Sequence, residues 1–557
     1  MRVHIKGSKL LTRSSERLAR VAGIASVLVL VAAAALVSQD APQKAGIQVH
    51  TRLVQVDVIV RDKTGPIANL TKDDFVLFDQ GKPQKIGVFS VESTESAAQP
   101  AQPLPQNTFS DLPQYTASSL RSVTIVLLDN LNTLMGNSSD VNESRPRWLE
   151  DLALANAKAH LIEYIKDLDP KDRVAIYGLS DTLHVLCDFT SDRDRLLTIL
   201  QGYNASGRTD RDLVEPGALH LPGAAERMDS KADAAAEGAA TMENRRRSTE
   251  TMAALQAIAS HVANIPGRKN LVWLGSNLPF SGTAIARVLS RAQIAAYPID
   301  GRGLLSWAAV PSFEGPPEGI SAILSTQDAP ALAPGPTGID TMKKMAEETG
   351  GIAFVNSNDL TGAIRKAIED SAITYTLGFY VDEASFDGKF HEIKVQVKQP
   401  GLNVRYPKGY YALADTPATK DERRSNFLAA IVSPIDSSSI PVEVKVNRVN
   451  QPSPDSLTLS GTIDIHDIRL VQTGDMRIGV VDVIILQQDE TGKVLSESTD
   501  QLNLRFTEEQ YSAMLKSGVR FRKTAQPKAG AATLRVLVQD PSTAAIGSLV
   551  IPLSQVK

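Results

Sequence analysis

The most chemically informative segment of the chain is residues 125–132, which read Ile-Val-Leu-Leu-Asp-Asn-Leu-Asn. An apolar run ends abruptly at Asp129, and side chains that carry oxygen follow it, among them Asn132 and Thr133. Ligands of open α/β sheets gather outside the carboxyl ends of the strands. A strand that ends in an acid and several oxygen donors therefore predicts a binding site at this turn.

Other combinations of residues that could support catalysis are weak. The chain contains no His-Glu-x-x-His, no Gly-x-Ser-x-Gly and no phosphate-binding loop. Only His466 lies close to two acids, where it could form a weak metal site or simply lie on an exposed strand edge. Cys187 is the only cysteine, so the chain offers it neither a disulfide partner nor a zinc site of the thiolate type. The sequence therefore favours a protein that is not an enzyme.

Strands that alternate with helices surround Asp129 and must position it. This alternation covers residues 120–373 and predicts an α/β fold with a doubly wound, mainly parallel sheet. Two insertions, 204–247 and 302–338, are polar or rich in proline and glycine, and we expect mobile loops there. The predicted strands lie at 123–128, 173–179, 184–189 (an antiparallel edge), 270–274, 294–300 and 352–355.

Segments with β periodicity flank this domain on both sides. Residues 41–92 alternate apolar and polar side chains and predict a small β-sandwich module, which the linker composition of residues 93–119 separates from the α/β domain. Residues 374–413 predict a β extension of that domain. Residues 423–557 predict a C-terminal β-sandwich.

The first 40 residues predict export. Six basic residues precede an uninterrupted run of apolar and small residues at 21–37, which is typical of a signal peptide or an N-terminal membrane anchor. Either interpretation makes the rest of the chain exported, whether periplasmic, anchored to the membrane through residues 21–37, or secreted. The net charge of -4 gives no reason to expect nucleic acid as a partner.

Residues 47–413 resemble a known family. The strand that ends in Asp129, the helix after it, residues 173–179 and Phe189-Thr190 resemble a von Willebrand factor A (VWA) domain. More narrowly, the layout is similar to VWFA-related proteins of the acidobacterial type. The matching segments are 56–60 with 70–78, then 128–133, then 266–273, and finally 375–411.

The resemblance implies a metal-ion-dependent adhesion site, in which an Asp-x-Ser-x-Ser turn, a distant Thr and a distant Asp hold Mg²⁺ or Mn²⁺. Asp129, Thr133 and Thr209 match three of these positions. Leu131 replaces the first Ser and cannot coordinate a cation, and no acid stands in Gly275-Ser-Asn, where the distant Asp is expected. Two alternatives follow: a degenerate site that still binds a metal, or an Asp129 that caps the following turn by hydrogen bonds.

These features together predict an exported, non-catalytic protein-binding or adhesion module that uses the top of a VWA-like domain. Its partner would be another protein. The alternatives are a metal-assisted hydrolase centred on Asp129, which would need a second acid or His nearby, and a structural or assembly factor of an envelope complex.

Overall fold

The computed structural model describes twelve stretches of the chain. They are residues 51–93, 103–112, 123–132, 148–203, 225–265, 267–275, 282–301, 338–370, 372–382, 385–413, 417–451 and 455–557. The predicted export segment 1–40, Thr133 and Thr209 lie outside them, as do residues 204–224 and 302–337 of the two predicted insertions.

The described residues contain 22 strands and eight helices of ten residues or more. The strands are β1 (Thr51–Arg61), β2 (Phe75–Asp79), β3 (Lys82–Gln84), β4 (Val88–Ser93), β5 (Thr108–Ser110), β6 (Val123–Asp129), β7 (Val174–Leu179), β8 (Leu183–Thr190), β9 (Lys269–Gly275), β10 (Ile294–Asp300), β11 (Ile373–Asp382), β12 (Phe390–Val397), β13 (Asn403–Arg405), β14 (Gly409–Tyr411), β15 (Val442–Val449), β16 (Ser456–Ile463), β17 (Val471–Thr473), β18 (Met476–Gln488), β19 (Val494–Thr507), β20 (Val519–Ala525), β21 (Thr533–Gln539) and β22 (Ile546–Pro552). The helices are α1 (Trp148–Lys166), α2 (Arg193–Gly202), α3 (Ala225–His261), α4 (Gly282–Arg291), α5 (Gly338–Thr349), α6 (Leu360–Glu369), α7 (Lys420–Val432) and α8 (Glu508–Ser517).

Asp129 lies in a five-stranded sheet of order β10-β9-β6-β7-β8. Neighbouring strands are parallel except for β8, which pairs antiparallel with β7. We call the side where β6, β7, β9 and β10 begin the amino edge and the side where they end the carboxyl edge. Every residue of β6 is buried, as the continuous apolar run predicts for a strand covered on both faces.

Helices cover both faces of this sheet. Val126 and Leu128 pack against α1, α2 and α6, whereas Ile125 and Leu127 pack against α3, α4 and α5. The helices present apolar residues at three- and four-residue spacing, such as Ala157, Leu161 and Ile165 of α1, so that one stripe of each helix is buried. Two apolar layers therefore hold β6 and its terminal acid in place.

The predicted N-terminal module and the predicted β extension share their sheets. One sheet has the order β13-β1-β11-β4, in which strands from residues 51–93 alternate with strands from residues 373–411. The other has the order β14-β12-β2-β3, in which β12 pairs with β2 and so joins the two segments. Inward rows such as Val54–Val60 and Tyr375–Phe379 form one common core. We call this unit the N-terminal sandwich. A few short strands do not bury enough apolar surface alone, which explains why the two segments combine.

The C-terminal sandwich consists of the sheet β20-β16-β15-β5 and a sheet in which β18 pairs with β17, β19 and β21, and β21 pairs with β22. Strand β5 comes from the segment that we predicted as a linker. Its residues Thr108–Ser110 pair with Glu443–Lys445 of β15 and cover an edge that would otherwise expose unpaired backbone groups.

Three helices differ from the sequence predictions: α3, α7 and α8, the last of which lies within the predicted C-terminal β-sandwich. Helix α3 begins at Ala225, so the second half of the predicted insertion 204–247 is helical rather than a loop, in keeping with its content of alanine and other strong helix formers. Helix α7 precedes the strands of the C-terminal sandwich. Within the described stretches, no helix has the length and apolar character that a membrane span requires. The mixed α/β class, with many antiparallel strands in flanking sheets, is confirmed.

Candidate functional site

Asp129 ends β6 at the carboxyl edge, where the chain folds over the neighbouring strand. Asp129 pairs with Leu179, the last residue of β7, and the backbone N–H groups of Asn130 and Leu131 then donate to the Leu179 carbonyl at 2.8 and 3.1 Å. This tight turn points the carboxylate back into the protein. Asp129 is 0% exposed, so it is a buried acid and not a surface one.

Three N–H donors from two residues point at the Asp129 carboxylate. The backbone N–H of Asn132 donates to Oδ1 at 2.9 Å, as in an Asx turn, and Asn132 Nδ2 donates to Oδ2 at 2.9 Å. The indole Nε1 of Trp273, in the adjacent strand β9, also donates to Oδ2, at 2.8 Å. Such donors stabilise a carboxylate through charge-assisted hydrogen bonds.

Burial and these hydrogen-bond donors have opposite effects on the pKa of Asp129. Burial disfavours the charged form and raises the pKa from 3.8 to about 6, while the hydrogen bonds from Asn132 and Trp273 act in the opposite direction. The carboxylate is consequently ionised at neutral pH, and the local N–H groups replace the water that it has lost.

A second layer of contacts holds the donors themselves. Asn132 Nδ2 also donates to Thr251 Oγ1 of α3 at 2.8 Å, so that one amide joins the strand turn to a helix. Gly275, at the end of β9, lies directly beside the acid: a Cβ added to it would approach Asp129 Cβ to 3.3 Å and Oδ2 to 3.4 Å. The site is thus closely packed on the β9 side.

The side chain of Leu131 takes no part in this polar network, although its backbone N–H helps to lower the pKa of Asp129. It is 4% exposed and belongs to the apolar cluster on the α3 side of the sheet, with Tyr177 and Leu179. The position at which the resembled family has a hydroxyl ligand is therefore a core position in this chain. Its burial helps to fix the turn that presents Asn132 to Asp129.

The described residues around Asp129 do not fit a resident Mg²⁺ or Mn²⁺ ion. Such an ion needs several converging oxygens, whereas both oxygens of Asp129 face N–H donors. Asn132 Oδ1 is a buried acceptor without a hydrogen-bond partner, but a single amide oxygen does not make a coordination shell. In the stretches described, no three His, Cys, Asp or Glu side chains come together to hold a metal. Thr133 and Thr209 lie outside those stretches.

A second buried acid, Asp300, lies at the same edge. It ends β10, is 3% exposed, and pairs with Gly275 of β9, so that β9 separates it from Asp129. The following residue, Gly301, accepts a hydrogen bond from Asn156 Nδ2 of α1 at 3.2 Å. Sequence reasoning treated Asp300 only as the end of a strand. Its signal was an apolar run that stops at an acid, the same signal that identified Asp129.

The remaining candidate residues have ordinary environments. Cys187 is buried in the core of the α/β domain, and burial raises the pKa of its thiol, which disfavours the reactive thiolate. His466 Nδ1 pairs with Asp464 Oδ1 at 2.5 Å, and the imidazole is 57% exposed. Neither residue has the surroundings of a catalytic group.

Comparisons with known proteins identify no family. The chain matches no protein-family model and no curated protein. Solved structures with partial similarity include an aerotolerance-related membrane protein from Bacteroides fragilis (17% identity, 44% of this chain, 98% of that chain, TM-score 0.22). BatB from Bacteroides thetaiotaomicron is similar at 16% identity, over 45% of this chain and 98% of that chain, with a TM-score of 0.23. The pilus adhesin SpaC from Lactobacillus rhamnosus GG is similar at 9% identity, over 78% of this chain and 56% of that chain, with a TM-score of 0.23. TM-scores of this size do not define a common fold.

Proposed function

We propose that the chain is an exported, non-catalytic protein-binding module of the adhesion type, in which the carboxyl edge of a VWA-like, doubly wound α/β domain holds a partner protein. The strand order, the antiparallel edge strand β8 and the position of Asp129 at the end of the central strand support the VWA-like assignment. The basic leader and apolar run of residues 1–37 support export.

The observation that carries the proposal is the position of the two sandwiches. Arg61 and Arg405 of the N-terminal sandwich pair with Asp370, which directly follows α6. Gln293, just before β10, donates to Gln55 Oε1 of β1 at 2.8 Å. These contacts lie at the amino edge of the central sheet.

The C-terminal sandwich is anchored at the same edge. Its Ser438 N–H donates to the carbonyl of Ser260, in the last turn of α3, at 2.9 Å. The His261 ring next to it stacks on Phe189, near the end of β8. Both sandwiches are thus fixed at the amino edge, and the opposite edge, with Asp129 and Asp300, is where a partner would approach.

The environment of Asp129 supports a role in shaping this edge rather than in chemistry. A general base or a metal ligand needs lone pairs that face a substrate or an ion. The carboxylate of Asp129 instead faces Asn132 and Trp273 and is fully buried. Its function in the proposal is to hold the turn at residues 129–132 in the conformation that a partner contacts.

Site-specific photo-crosslinking in cells tests the proposal. Two exposed positions flank the same strand, β7: Thr182 follows it at the carboxyl edge, and Lys171 precedes it at the amino edge. A photoreactive amino acid at 182 should give a discrete crosslinked protein product, whereas the matched position 171 should give none. Equal products from both positions, or a product from 171 alone, would contradict binding at the carboxyl edge.

A further inference from the structure

A short segment of the chain, residues 436–438, joins the α/β domain to the C-terminal sandwich. Ser438 Oγ donates to the carbonyls of Ser260 and His261 at the end of α3, at 3.1 and 2.7 Å. On the other side, Ser437 and Ser548 of β22 exchange hydrogen bonds of 2.8 and 2.7 Å. The segment is therefore held between the two domains, and we call it the seam.

The imidazole of His261 lies across this seam with both nitrogens opposite acceptors. Nδ1 is 2.8 Å from the backbone carbonyl of Asp436, and Nε2 is 3.6 Å from Oδ1 of Asp188 in β8. The ring is stacked on Phe189 and only 18% exposed. A neutral imidazole has one N–H to direct at these two acceptors, whereas an imidazolium donates to the Asp436 carbonyl and also places a positive charge 3.6 Å from Asp188.

The charged groups around His261 are mainly acidic. Besides Asp188, they are Asp436 on the seam, Asp111 just after β5, and Arg535 of β21, which faces Asp436. Tyr177 of β7 also donates to Asp188, at 3.4 Å. Asp111 Oδ2 and Asp436 Oδ1 are enclosed and have no hydrogen-bond partner. When His261 is neutral, three acids remain beside one arginine.

We propose that protonated His261 is a pH-dependent latch, which holds the C-terminal sandwich against the α/β domain in acidic solution and releases the seam as the pH rises. The latch needs an imidazolium opposite an ionised Asp188 and does not depend on which partner the carboxyl edge binds.

The pKa shifts of His261, Asp436 and Asp111 all favour a latch that opens as the pH rises. Burial alone would lower the pKa of His261, but the hydrogen bond and charge of Asp188 and the carbonyl of Asp436 raise it above 6.5. A raised histidine pKa contributes stability below 6.5, and this contribution is lost as the pH rises through the folded-state value. Burial raises the pKa of Asp436 to about 6 and that of Asp111 well above 3.8, so these acids gain charge over the same rise.

Asp188 determines the lowest pH at which the latch is closed. Burial acts to raise its pKa, but hydrogen bonding and charge from His261, with further hydrogen bonds, keep it below 3.8. The contribution of Asp188 is therefore present above that value and lost in stronger acid. The latch is closed between these limits, in mildly acidic solution.

Two measurements on the full chain test the latch. The first is NMR titration of histidines labelled with ¹³C at Cε1, in which the His261 signal should titrate above pH 6.5 and move to a lower midpoint in Asp188→Asn. A wild-type midpoint at or below 6.5 would overturn the proposal, and this result does not require a folded His261 variant.

The second measurement is hydrogen exchange of peptides that cover residues 436–442, at mildly acidic and mildly alkaline pH and corrected for intrinsic exchange. Protection in the wild type should fall severalfold as the pH rises, and His261→Gln should remove most of this dependence. His184→Gln is the matched control, because His184 is an exposed residue of the same strand as Asp188 and should behave as wild type. The same pH dependence in wild type and His261→Gln would refute the latch.

Discussion

Replacement of Asp129 by asparagine should change the pH dependence of stability. The side chain is 0% exposed and its pKa is about 6, compared with 3.8 without burial. The difference corresponds to about 3 kcal/mol at roughly 1.4 kcal/mol per pKa unit. Because the folded state binds the proton more tightly than the unfolded chain, the wild-type free energy of unfolding loses this amount as the pH rises through these two values.

Asparagine has the same shape but no charge to bury, so the variant lacks this loss. The free energy of unfolding of Asp129→Asn, minus that of the wild type, should therefore increase by about 2 kcal/mol between about pH 4 and pH 7. The absolute difference at one pH is less informative, since the new NH₂ group opposes an existing donor from Asn132 or Trp273, at a cost of about 1–3 kcal/mol. The change with pH is what the buried charge determines.

Urea unfolding of both proteins at several pH values, followed by tryptophan fluorescence and circular dichroism, measures this difference. Asp181→Asn is the matched control, because Asp181 lies in a turn at the same edge, is 48% exposed and pairs with Arg246 at 3.4 Å. Exposed pairs contribute less than about 1 kcal/mol, so this variant should follow the wild type across the pH range. If the free energy of unfolding of Asp129→Asn minus that of the wild type does not change with pH, or decreases as the pH rises, the description of Asp129 as a buried, ionised acid is refuted.

Two further predictions concern packing and the domain junction. Gly351→Ala should lower the free energy of unfolding by about 3 kcal/mol, because the new Cβ would lie 1.8 Å from the backbone oxygen of Ala296. Gly202→Ala, with no atom within 4 Å of its Cβ, should raise it by about 0.5 kcal/mol; equal thermal shifts in the two variants would contradict this packing. Asp370→Asn should cost about 1.5–3 kcal/mol, because it removes the charged, buried acceptor that pairs with the partly exposed Arg61 and Arg405. Glu369→Gln, at a 50% exposed side chain, should cost under about 1 kcal/mol. Denaturation of these two variants measures the difference, and similar losses would argue against a buried ion pair at the junction.

Local patterns predicted the central elements of the fold. The apolar run that ends at Asp129 predicted β6 and its burial on both faces, and alternation in the residues around Val56 predicted β1. The sequence also contains capping signals: Thr419 and Glu422 form the capping box that begins α7, and the same pattern at Thr507 and Gln510 begins α8. Strands and helix starts can be predicted in this way because each depends on residues that are close together in the sequence.

Long-range partners could not be predicted in this way. Trp273 lies 144 residues after the Asp129 carboxylate to which it donates, and nothing in the local sequence distinguishes that indole from one that only fills the core. The pairing of β5 with β15 similarly depends on an exposed edge more than 300 residues away in the chain. The metal prediction rests on residue types alone and stays a prediction, because Thr133 and Thr209 lie outside the described stretches. The direction of the N–H donors at Asp129 depends on the folded turn and could not be read from residue types.

The central claim is that hydrogen bonds, and not a metal ion, hold Asp129. Isothermal calorimetry of the full chain with Mg²⁺ and then Mn²⁺ tests it most directly, with Asp129→Asn as the matched variant. We expect the same small heats of dilution from both proteins, since donors from Asn132 and Trp273 already face the carboxylate. A saturable binding heat in the wild type that disappears in Asp129→Asn would contradict the claim.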